Sequence, residues 1–159
     1  MPASPILDLQ QEAGATLGEK HGWQLPSVYS SVADEYEAAR RGMGLVDRSH
    51  VGRLRLTGED GLDLLNRLST NELADFTVGQ GRSTVLTSNK GRILDHLLVL
   101  RRSDHLLVIT SPENRQKVAD WIDFYTFTED VAVQDVTEDT AMLAVMGPGA
   151  AGLLESLGV

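Results

Sequence analysis

Polar and apolar residues alternate cleanly at two places in this chain. Gly52-Arg53-Leu54-Arg55-Leu56-Thr57-Gly58 reads as a half-buried strand. Ile93–Leu100 and His105–Thr110 read as the arms of a hairpin turning about Arg101-Arg102-Ser103-Asp104. In the first arm, a period of two puts His96, Leu98 and Leu100 on one face and Asp95, Leu97 and Val99 on the other. A single polar group on an apolar face is either a ligand-facing group in an apolar pocket or a histidine satisfied by its neighbours. The pattern alone leaves both readings open.

Helical spacing covers much of the rest. Ile6, Leu9, Ala13 and Leu17 predict a helix over 5–17, closed by Gly18 and Gly22, with a loop over Gly22–Pro26 that Trp23 anchors. Ser31 predicts an N-cap, with Asp34 and Glu35 in the first turn and a stop at Gly42. Leu62, Leu65 and Leu68, flanked by Leu64, predict an amphipathic helix over Glu59–Leu68. Ser111-Pro112-Glu113 predicts a helix start, with Ser111 as cap and Val118, Trp121, Ile122 and Tyr125 as the core stripe. Short strands are predicted at Thr84–Thr87, Val131–Val136 and Met142–Met146, the last followed by a turn at Gly147–Gly149 and a helix carrying Leu153, Leu154 and Leu157.

The order over 52–137 predicts an α+β fold: an antiparallel sheet with two helices on one face, split-βαβ-like. Residues 1–50 read as a helical lead-in, and 141–159 as the start of a further unit that lacks a partner. That last segment is expected to pack on residues 1–50, on another copy or on a downstream half.

Composition narrows the chemistry. The 159 residues carry a formal net charge of -9, which argues against nucleic acid or an anionic membrane as partner. The basic residues, Arg53 and Arg55 among them, read as solvated charges, although Lys90 and Arg92 could hold an anionic ligand tail. There is no cysteine, so thiolate and disulfide chemistry are excluded. His21, His50, His96 and His105 lack the spacing of a metal site, and there is neither a nucleophile elbow nor a phosphate-binding glycine loop. Apolar runs stop at four residues, and the N-terminus does not read as a secretory signal, so a cytoplasmic location is expected.

Several motifs fall in register with one family. They are Gly22-Trp23-x-x-Pro26-x-x-Tyr29, Glu37-x-x-x-Arg41-x-x-x-Gly44-Leu45-x-Asp47-x-Ser49-His50-x-Gly52, Thr70-Asn71-Glu72 and Gly91-Arg92-Ile93-Leu94-Asp95. Together they resemble the glycine-cleavage T-protein family of folate-dependent aminomethyltransferases and its folate-binding relatives, some linked to iron–sulfur cluster maturation. The resemblance covers residues 5 to about 157, and the chain looks like less than half of a family member. It implies a domain at 51–137 within a larger ring, with 1–50 and 138–159 as two pieces of a first domain. It also implies tetrahydrofolate as ligand, with Val51, Ser83, His96, Leu98 and Leu100 as binding candidates and Asp95 and His96 as catalytic ones. Family members usually carry two consecutive aspartates on this strand, the second being functional. Here Asp95 matches the first, His96 replaces the second, and Ser83 and Leu100 stand where aromatics are common.

That replacement bears on the reaction. One-carbon transfer to folate develops positive charge, which a carboxylate stabilises by about 4 kcal/mol at ~4 Å with an effective dielectric near ~20. A neutral imidazole supplies only a dipole. Three readings follow: a folate-binding module without standard transferase activity; a transferase completed by a downstream half, a second chain or a homodimer partner; and a folate-independent assembly protein.

Overall fold

The computed structural model describes residues 1–158 and divides the chain into two compact units. One is Val51–Thr137; the other joins Met1–His50 to the residues from Glu138 onward.

The first unit is built from β4 (Gly52–Thr57), α3 (Gly61–Leu68), β5 (Gly81–Thr87), β6 (Ile93–Arg101), β7 (Leu106–Thr110), α4 (Arg115–Phe124) and β8 (Ala132–Asp135). Its five strands form one antiparallel sheet in the order β5-β6-β7-β4-β8. β7 and β8 both run antiparallel to the β4 strand between them, so β7–α4–β8 is a split βαβ unit. The fold is α+β, as the order of patterns predicts.

Alternation selects the core. Leu54, Leu56, Leu86, Leu97, Val99 and Val108 form one buried cluster with Leu64, Leu65, Val118 and Ile122 of the two helices. Burying each such side chain contributes about 1.5–3 kcal/mol. On α3 the buried pair is Leu64 and Leu65, with Leu62 and Leu68 at the margin, so the apolar face is centred on Leu64 and Leu65 rather than on the expected stripe. The connection between α3 and β5 adds Leu73 and Phe76, which no periodicity announces. It is held by Asn66 accepting from Leu73 N at 2.7 Å and by Arg101 donating to Phe76 O at 2.5 Å.

The second unit departs most from expectation. α1 is only Leu7–Glu12; β1 (Thr16–Lys20) and β2 (Trp23–Val28) then form an antiparallel hairpin where a helix end and a loop are predicted. Gly14 leaves the helix with φ of 89°, and the two-residue turn His21-Gly22 has φ of 50° and 77°. Positive φ at both central positions matches the right-handed twist of a hairpin. Residues 1–50 are therefore a mixed α/β segment rather than a helical lead-in. α2 (Val32–Arg41) begins at Ser31, whose hydroxyl accepts from Asp34 N at 3.1 Å, and ends at Gly42. β3 (Gly44–Asp47) pairs antiparallel with β9 (Leu143–Met146), and α5 (Ala150–Ser156) follows. The returning strand thus finds its neighbour within residues 1–50. Gly147 joins β9 to α2: its φ is 105°, and a Cβ there would lie 2.3 Å from Ala39 O.

Candidate functional site

The sheet of the first unit has two unlike faces. α3 and α4 cover one; the other carries alternate residues in cross-strand rows. One row runs Ser83, Leu98, Ile109, Arg53, and the next runs Gly81, Leu100, Leu107, Arg55, Gln134. His96 pairs with Val85 one step along from Leu98. Ser83, His96, Leu98 and Leu100 therefore share one patch of adjacent strands. His96 and Ser83 are exposed, while Leu98, Leu100, Val85, Leu107 and Ile109 are half-buried. The result is an apolar platform with an imidazole and a hydroxyl at its margin, a surface suited to a flat amphipathic ring.

Asp95 points the other way. It is buried, and both of its oxygens are engaged. Oδ2 accepts from the Thr110 hydroxyl and from Ser111 N at 2.8 Å; Oδ1 accepts from Ser111 Oγ at 2.7 Å and Asn114 Nδ2 at 3.3 Å. Burial alone would raise its pKa, but the bonds from Thr110, Ser111 and Asn114 outweigh burial and hold the carboxyl below the ordinary carboxylate range. Ser111 is consequently not the helix cap that its sequence context predicts. Its hydroxyl serves Asp95, a single 3-10 turn at Pro112–Asn114 intervenes, and α4 starts at Arg115.

The remaining candidates lie apart. Val51 is buried just before β4, separated from β6 by β7 in the sheet order. Lys90 and Arg92 are exposed on the turn into β6, where Gly91 has φ of 68°. Arg53, expected to be a solvated charge, is 3% exposed. Its guanidinium donates to Val51 O at 2.5 Å and to Thr137 O, and its backbone N to Thr137 Oγ1 at 2.9 Å. Alternation correctly turns Arg53 away from the helices but cannot show that backbone carbonyls enclose it. Among the described residues, no three His, Asp or Glu side chains converge as a metal site, and no helix is long and apolar enough to cross a membrane.

Comparison with known proteins agrees with the motifs. The GCVT N-terminal domain family matches residues 6–159. The chain is 35% identical over 155 residues to an aminomethyltransferase from Halalkalibacterium halodurans, covering 97% of this chain and 42% of that protein. It is likewise 35% identical over 156 residues to an aminomethyltransferase from Bacillus pumilus, again covering 97% of this chain and 42% of that one. The crystal structure of the glycine cleavage system aminomethyltransferase T from Bartonella henselae superposes with a TM-score of 0.86 at 26% identity. That match covers 99% of this chain and 44% of the other. The chain thus spans less than half the length of the relatives that it matches.

Proposed function

The chain belongs to the GCVT N-terminal domain family, and from that premise we propose that its Val51–Thr137 unit is a tetrahydrofolate-binding module unable to carry out standard aminomethyl transfer. The observation that carries this reading is His96. It is an exposed polar group on the platform of Leu98 and Leu100, paired with Val85 and diagonal to Ser83, at the position where the resemblance implies a functional carboxylate. Leu98 and Leu100 would stack against the ligand ring, and Ser83 and His96 would hydrogen-bond its edge. Bound tetrahydrofolate would supply a ring nitrogen able to take up a one-carbon unit. Asp95 would act indirectly, by fixing β6 to the start of α4, since its own acceptors are engaged within the fold.

The electrostatics disfavour the standard reaction. The five strands place Arg53, Arg55 and His96 on the platform face, while the buried Asp95 lies on the opposite one. A developing cation beside His96 would meet an imidazole where the resemblance implies a carboxylate, and Arg55 on the same face is paired with Asp104 at 2.8 Å.

Calorimetric titration with tetrahydrofolate under reducing conditions tests the proposal. Saturable binding that Leu98→Arg abolishes is expected, and His96→Asp should retain it. Absence of saturable binding, or binding indifferent to Leu98→Arg, would overturn the assignment. A second reading rests on coverage: the chain matches only 42% of its relatives. A downstream half or second chain would then complete a transferase, and turnover on adding such a partner would favour it.

A further inference from the structure

A cleft of about 460 Å³ opens at one end of the first unit's sheet, between the end of β4, the start of β7 and the β6–β7 turn. Small-molecule sites span ~300–1,000 Å³. The cleft is separate from the folate platform. Leu56 and Leu106, paired across β4 and β7, close its floor, and both belong to the core cluster on the side that the helices cover. Arg101 shares the parity of Leu97 and Val99, not that of Leu98 and Leu100. Backbone bonds fix the walls. Gly79 N donates to Arg101 O at 2.8 Å and Arg101 N to Gln80 O at 3.0 Å, which lays residues 78–80 along the end of β6. Arg102 N donates to His105 O at 2.9 Å and closes the turn.

Two features of the lining serve no evident purpose in folding. Val78 is 58% exposed beside the half-buried Leu62, so apolar surface stays open above the floor. Arg101 gives one guanidinium nitrogen to Phe76 O at 2.5 Å, but its other donors and the exposed Arg102 guanidinium have no acceptor among the described residues. Two carboxylates also line the cleft. Asp104 is engaged, one oxygen with Arg55 Nη2 and the other with His105 Nδ1, each at 2.8 Å. Glu59 is exposed and has no ion pair among the described residues. Two guanidinium groups thus stand against one free carboxylate, a locally cationic site on a chain of net charge -9. A guanidinium fork matches the two oxygens of a carboxylate. A monoanion with an apolar stem would use both features at once, whereas a dianion would meet Glu59 at twice the repulsion.

We propose that this cleft binds an amphipathic carboxylate, its head on Arg101 and Arg102 and its alkyl stem on Leu62 and Val78. The ligand is either a free alkanoic acid or the C-terminal carboxylate of a polypeptide ending in an apolar residue.

Titration of the 159-residue chain with sodium hexanoate, followed by amide chemical shifts, tests this. Saturable shifts are expected at Val78, Gly79, Arg102 and His105, with neutral 1-hexanol and the stemless anion acetate both much weaker. Three exposed positions, where folding is not at stake, give the variants. Arg102→Gln should weaken hexanoate about fivefold, the upper end for an ion pair at a surface. Val78→Ser should weaken it about threefold through lost apolar contact. Glu59→Gln should tighten it about twofold by removing a like charge. Hexanol or acetate binding as well as hexanoate, shifts confined to Leu98 and Leu100, no saturable shift, or indifference to Arg102→Gln would each overturn the site. N-acetyl-leucine separates the sources: binding tighter than hexanoate assigns a polypeptide C-terminus, and weaker binding a free acid.

Discussion

The two units bury their apolar residues very differently. Between Val51 and Thr137, thirteen buried hydrophobic side chains form one cluster between a five-stranded sheet and two helices. In the other unit, Trp23 and Leu25 are the buried hydrophobics among the described residues. There Leu45 is 61% exposed and Tyr36 62%, and Val46, Leu143 and Met146 are also exposed on the two-stranded β3–β9 sheet. Two strands alone are marginally stable, whereas a sheet packed on helices is self-sufficient. The first unit therefore has a sheet-on-helix core that the second lacks, although both expose large apolar side chains, Ile93 and Phe127 in the first among them.

Each unit holds one tryptophan, Trp121 in the first and Trp23 in the second, so fluorescence can follow them separately. The largest effect is expected at Leu97, fully buried in the cluster. Leu97→Ala should cost about 2–5 kcal/mol by denaturant unfolding read at Trp121. Next is Asp95→Ala, which strands the donors of Thr110, Ser111 and Asn114 and should cost about 2–3 kcal/mol. Asp95 also predicts acid lability. Its folded pKa lies below the unfolded value near 3.8, so its contribution is complete above that value and is lost as pH falls through the folded one. Asp95→Asn should remove that slope.

His50 gives the counterpart in the second unit. Its ring stacks on His21 with centroids 5.4 Å apart. Burial first, then the charges of Lys20, His21 and Arg48, push its pKa from 6.5 to about 4. The unfolded chain takes up the proton first, so this unit should lose stability as pH falls from 6.5 towards 4. The loss should appear at Trp23, and His50→Phe should flatten it. An equal response at Trp121 would mean that the two units do not melt separately. The smallest effect is expected at Leu45→Ser, within about 0.5 kcal/mol because the side chain is already exposed. A larger loss would show that Leu45 is covered.

Local signals were readable in the sequence; distant pairings were not. Ser31 and Gly42 bracket α2 through bonds within a few residues, and the β6–β7 hairpin follows from alternation about one turn. The face holding His96, Leu98 and Leu100 followed from the same period, as did the inward turn of Asp95. The helical stripe through Leu9 and Leu17 misled, because Leu9 is 64% exposed and Leu17 lies in a strand. His21-Gly22 lacks the usual turn signature of Asn-Gly or Asp-Gly. β3 was invisible because it has four residues and pairs with a strand that begins at Leu143. The joining of Ser83 to Leu98, and of Leu98 to Ile109 and Arg53, depends on register that no single segment encodes. The enclosure of Arg53 depends on the Thr137 carbonyl, brought in from far along the chain.

The pairing of β4 with β8 has a kinetic consequence. Leu54 sits opposite Asp135, and Arg53 N donates to Thr137 Oγ1, so the two ends of the inner unit emerge side by side. Once that unit has folded, the strand ending at Asp47 and the strand beginning at Leu143 are tethered by a short effective loop. Before it folds, the same encounter must close a loop of about 95 residues, an entropic barrier on the order of 4 kcal/mol. The outer strands should therefore assemble last, on a template that the inner unit supplies. A brief linker in place of Val51–Thr137 should still let them meet.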